Sequence, residues 1–73
     1  MFVKNVVEVA DATINVGVIF HTGSTSNQVF TGTVKNIPEY FLNEQVIRLE
    51  ISLGQLFIHI GSISTWMVKI ELN

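Results

Sequence analysis

Cysteine is absent from the 73-residue chain, which excludes disulfides and thiolate metal sites and leaves the core to hold without covalent staples. Charge is scarce too, at 14% of residues where an average soluble domain carries roughly 25%. Glu8, Asp11, Glu39, Glu44, Glu50 and Glu71 outweigh Lys4, Lys35, Arg48 and Lys69, for a formal net charge of −2. The basic residues are dispersed and make no phosphate-tracking stripe, which argues against a protein that relies on duplex DNA contacts. RNA read by stacking and backbone amides is not excluded by that count. Long apolar runs are missing: none approaches the roughly 18 residues needed to cross a bilayer. The start, Met1 to Asn5, lacks the basic region and apolar stretch of a secretory signal. The expectation is a cytoplasmic protein without membrane contact. No Gly-rich phosphate loop, nucleophile elbow or metal-ligand spacing is present, so neither an enzyme nor a cofactor is expected.

What is present is a strand-forming composition. Ten Val, nine Ile and six Thr stand against two Ala, a set that packs well on a pleated surface and poorly on a helix. The chain is short enough for one core, so residues 1–73 are read as a single domain. From Thr13 to Phe20, the residues Ile14, Val16, Val18 and Phe20 alternate with Thr13, Asn15, Gly17 and Ile19, the two-residue repeat of a half-buried strand. Phe30, Gly32 and Val34 form an inward set between Gln28 and Asn36. From Val46 to Leu53, an inward face of Ile47, Leu49, Ile51 and Leu53 alternates with Val46, Arg48, Glu50 and Ser52. Gly54 then turns the chain into a return arm, with Leu56, Ile58 and Ile60 inward and Gln55, Phe57 and His59 outward. A last strand over 65–72 places Trp66, Val68, Ile70 and Leu72 inside. Phe2 to Val9, apolar on both faces apart from Lys4, Asn5 and Glu8, reads as a further strand. His21 to Gln28 reads as a polar loop, and Pro38 with Glu39 suits one short helical turn near 38–42.

His21 and His59 are the residues whose ordinary titration falls near neutrality. Neither has a partner in an interpretable order, and an enzyme using them is the least favoured reading. The serines at 24, 26, 62 and 64 read as turn chemistry. The outward apolar residues carry more: Phe2, Val6, Ile19, Val29, Phe57 and Met67 form a candidate subunit or partner interface, because contiguous apolar patches commonly mark contacts.

The bent first strand, Phe30-Thr31-Gly32-Thr33-Val34, the long strand Val46 to Leu53, the hairpin, and Ile58-His59-Ile60-Gly61-Ser62-Ile63 before a final strand together resemble the Sm-like and SH3-like small barrels. The resemblance covers residues 13–72. It implies an all-β, five- or six-stranded antiparallel barrel, with Ser62 to Thr65 as a tight helical turn, and either an RNA-binding ring or a protein-binding module. The chain departs from the bacterial RNA chaperone of that fold: the tyrosine-lysine-histidine run of the fourth strand is Phe57-Ile58-His59 here, so RNA-binding residues do not carry over.

The functional expectation is a non-catalytic interaction module that forms a homo-oligomer and binds another macromolecule, protein in preference to RNA, in a regulatory or accessory role. The alternative is an Sm-like RNA-binding ring with Lys35 and Tyr40 as candidate contacts.

Overall fold

The computed structural model describes residues 1–61; the strand expected over 65–72, the turn at 62–65 and Met67 lie outside the described residues. The elements run α1 (Val3–Val9), β1 (Asn15–Thr22), β2 (Thr25–Thr33), two short 3₁₀ turns at Val34–Asn36 and Glu39–Phe41, β3 (Val46–Ser52) and β4 (Gln55–Gly61). The fold is mostly β, as the composition implies. The helical turn expected near 38–42 is present as the second 3₁₀ turn.

The four strands form one sheet in the order β2-β1-β4-β3. β1 pairs antiparallel with β2, β3 pairs antiparallel with β4, and the two hairpins meet through a parallel pairing of β1 with β4. Among the described residues the sheet is therefore open and mixed, where a five- or six-stranded antiparallel barrel was expected. The reason lies in residues 34–45. β2 and β3 run in the same direction at opposite sides of the described sheet, so the link between them must travel back along the sheet and cannot be a tight turn. This segment supplies it, carrying Val34 and Ile37 into the core and packing Phe41 and Leu42 against it.

The first segment is a helix, which overturns its reading as a strand. Val3 and Val6 are buried, Val7 and Ala10 pack against the core, and Lys4, Asn5, Glu8 and Val9 face water. That spacing, i, i+3, i+4, i+7, is the stripe of an amphipathic helix. Valine favours strands locally, but packing one face onto the sheet outweighs that weak preference. The first turn is anchored from outside: the Val3 and Lys4 N–H groups donate to the Glu44 and Leu42 carbonyls, both at 3.0 Å. The Asn5 side-chain oxygen accepts the Phe2 N–H at 2.8 Å. Val6, expected at an interface, is instead core.

The core is Val3, Val6, Val16, Val18, Val34, Ile37, Ile58 and Ile60, gathered on the face of the sheet that α1 covers. The predicted inward sets of β1 and β4 supply four of these. β3 departs from its expected alternation because Ile47 is an extra residue: Val46 pairs with Ile60 and Arg48 with the adjacent His59. The bulge moves Val46 to the core side. Leu49 and Ile51 do lie on the helix side, opposite Ile58 and Leu56, but α1 does not reach them. They are 42% and 81% exposed, and Leu53 is fully exposed in the turn.

The two hairpin turns show why glycine is needed there. Leu53 (φ 53°) and Gly54 (φ 74°) both adopt left-handed backbone between paired Ser52 and Gln55, as a primed two-residue turn demands. Gly23 (φ 60°) and Ser24 close the other hairpin between paired Thr22 and Thr25. The polar stretch read as a loop is thus mostly strand, with only its centre turning.

A helix with Val6 inward and Val9 outward makes a simple prediction. Val6→Asp places a carboxylate with no partner in the core and should cost at least about 3 kcal/mol in urea unfolding. Val9→Asp, at a position 86% exposed, should change stability by no more than about 0.5 kcal/mol. Equal losses for the two variants would contradict the helical packing.

Candidate functional site

On the sheet face opposite α1, the parallel register sets Ile19 beside His59 and His21 beside Gly61. On the other side of β4, the antiparallel register sets Arg48 beside His59 and Glu50 beside Phe57. Four chemistry-bearing side chains from three strands therefore converge, although they are far apart in sequence. The His21 Nε2 lies 2.7 Å from the His59 Nδ1. The His59 Nε2 lies 2.9 Å from the Glu50 Oε1. The Arg48 guanidinium approaches Glu50 at 3.8 Å. His59 is only 4% exposed, whereas the sequence placed it on a solvent face.

Hydrogen-bond chemistry fixes the direction of this chain. A carboxylate only accepts, so the His59 Nε2–H donates to Glu50. The Nδ1 of neutral His59 is then an acceptor, and the His21 Nε2–H must donate to it. Arg48, 3.4 Å from that same Nε2, cannot also donate to a nitrogen that already bears hydrogen; its effect there is the field of its charge. One added proton on the His21 Nδ1, which makes no hydrogen bond among the described residues, leaves the inter-histidine bond in place. Two added protons would set N–H against N–H at 2.7 Å. The pair in this geometry therefore holds at most one extra proton. Burial, followed by the charges of His59 and Arg48, holds His21 below its ordinary value of 6.5.

The arrangement orients and holds charge, and its groups are occupied with one another. Neither ring hydrogen-bonds a hydroxyl or other nucleophile among the described residues. No group of three or more acidic or histidine side chains among the described residues is placed to hold a metal ion. No helix among them is long and apolar enough to cross a membrane.

Of the described residues expected at an interface, Ile19 and Phe57 share a face of paired strands, while Phe2 and Val29 lie apart. Phe2 is exposed and bridges to Gln45, the residue before β3, whereas Val29 sits in a bulge of β2, at the other side of the described sheet. Ile19 and Phe57 are half-buried near the histidines. The Phe57 ring covers Gly17, where an added Cβ would meet it at 3.1 Å. Lys35 and Tyr40 are exposed on separate 3₁₀ turns. The Tyr40 ring lies 4.6 Å from that of Phe41, which packs on the core. Sequence reasoning missed the apolar strip Leu49, Ile51 and Leu53, because it counted the strip as core, and missed the histidine cluster, because no spacing announces a parallel register.

No family model, curated protein or solved structure matches the chain.

The histidine cluster carries a pH prediction. A folded-state value below 6.5 for His21 means that the unfolded chain binds more protons on acidification, so stability is full above that pH and falls as pH drops through it. Among the described residues, Glu50, Arg48 and His59 are the charged and titratable groups facing His21 across the strands. His21→Gln retains an N–H donor for the His59 Nδ1 but cannot titrate. Urea midpoints measured from pH 8 to pH 5 should fall less steeply for this variant. Parallel curves for the two proteins would refute the assignment.

Proposed function

We propose that this protein is a non-catalytic interaction module that self-associates and binds a protein partner in a regulatory or accessory role. One observation carries the reading: Leu49, Ile51 and Leu53 stand exposed on or beside β3, an outermost strand of the sheet among the described residues. Exposed apolar side chains next to a row of unpaired backbone groups are an association surface. The composition points the same way, since a small domain that is 48% hydrophobic has too little interior for its apolar content. The histidine cluster fits an architectural role, with both nitrogens of His59 and the Nε2 of His21 engaged by neighbouring side chains.

Light scattering over a wide concentration range tests the proposal. The apparent mass should rise above the 8.2 kDa of one chain, and Ile51→Lys with Leu53→Lys should weaken association about tenfold or more by placing charge in the strip. A mass fixed at one chain up to millimolar concentration, with no partner bound, would remove the proposal. RNA binding at low salt that is lost on replacing Lys35 and Tyr40 would transfer support to the RNA-binding alternative.

A further inference from the structure

We infer that the edge of β3 left unpaired among the described residues takes a second copy of this chain, antiparallel and centred on Leu49, so that Arg48 of each copy faces Glu50 of the other. The inference rests on the self-association proposed above and specifies its surface, register and symmetry.

Symmetry restricts the possibilities first. Two identical edges can pair antiparallel about a two-fold axis perpendicular to the sheet, and directly opposite residues then point to the same face. Because side chains alternate with a period of two, that axis must pass through a residue rather than between two. On β3 (Val46–Ser52) the choice is then decided by charge. An axis at Arg48 sets Arg48 against its own copy, and an axis at Glu50 sets two carboxylates together; like charges directly opposite are destabilising. An axis at Ile47 or Ile51 leaves both charges facing uncharged or like-charged neighbours. Only the axis at Leu49 opposes Arg48 to Glu50 on one face, twice by symmetry, while Leu49 meets Leu49 of the second copy on the other.

The structure of the edge suits this register. Leu49 is 42% exposed, so the same contact that aligns the charges covers more of its apolar surface. The Ile47 bulge falls outside the three central pairs and does not interrupt them. Glu50, already bonded to His59, would gain the second copy's Arg48 and extend the charged chain across the junction. The other edge strand, β2 (Thr25–Thr33), carries no charged side chain, so nothing there selects one register over another.

The absence of cysteine makes the test direct. In full-length Leu49→Cys each introduced thiol faces its own copy, within the Cα separation a disulfide accepts, so mild oxidation should yield a covalent dimer rapidly and in high yield. Ile51→Cys and Leu53→Cys are more exposed and should cross-link at least about tenfold more slowly. Should Leu49→Cys fail to fold by circular dichroism, an equimolar mixture of Arg48→Cys and Glu50→Cys should cross-link as a mixed dimer, while neither does so alone. Arg48→Glu should weaken dimerisation about tenfold or more, and adding Glu50→Arg should restore it. A dimer in which Ile51→Cys or Leu53→Cys cross-links faster than Leu49→Cys overturns the register but leaves self-association standing. A strictly monomeric chain, including one in which residues 65–72 occupy the β3 edge, overturns both.

Discussion

The parallel pairing of β1 with β4 is the constraint on which the rest of this structure depends. It brings Val16 and Val18 beside Leu56 and Ile58 with one alternation shared across both strands, so a single helix can cover the joint apolar face. The same alternation puts His21 and His59 together on the other face. It also requires the crossover through residues 34–45, because the chain must travel back along the sheet before β3 begins. Finally, with the two hairpins joined at their inner strands, β2 and β3 become the outer strands of the described sheet. Core, polar cluster and exposed edge are three consequences of one register.

The polar cluster sits where an apolar side chain would have been the simpler choice. Burying an imidazole costs free energy unless both nitrogens find partners. His59 meets that condition only through groups donated by strands on either side of it. The cluster therefore ties β1, β4 and β3 together on the face α1 does not cover, and it favours this alignment over one slipped by two residues, which would leave His59 unsatisfied. The cost is sensitivity to acid, since burial first, and then the neighbouring charges of His59 and Arg48, hold the titration of His21 below its ordinary value.

Much of the sheet was legible in the sequence, for physical reasons that also explain the failures. Val16 and Val18, and Ile58 and Ile60, announce their inward face because one side of each strand is covered and the other is not. Glycine at 54 announces a hairpin because that position of the turn adopts left-handed backbone. Thr25 to Gln28 conceal a strand, because an outer strand exposed on both faces needs no apolar alternation. Val3, Val6, Val7 and Ala10 do carry helical spacing, but valine-rich composition masks it. The β3 strip misleads in the opposite sense: Leu49 and Ile51 lie on the expected face, yet among the described residues nothing buries them, and Leu53 belongs to the turn. The histidine cluster had no local signal, because adjacency across a parallel register is a property of the whole topology.

An exposed apolar edge is normally a hazard, since any extended segment can pair with it. Here Arg48 and Glu50 make the hazard selective, penalising strands whose charges do not answer in reverse order. A two-fold contact also closes on itself and consumes both copies of the edge, so it cannot propagate by the same surface. What remains outward is β2, where the bulge at Val29 twists the backbone out of the flat geometry that continued sheet growth needs. In the proposed dimer, a small, apolar, weakly charged chain would thus form a discrete assembly instead of a fibre, with selectivity at one edge supplied by charge and at the other by an irregular backbone.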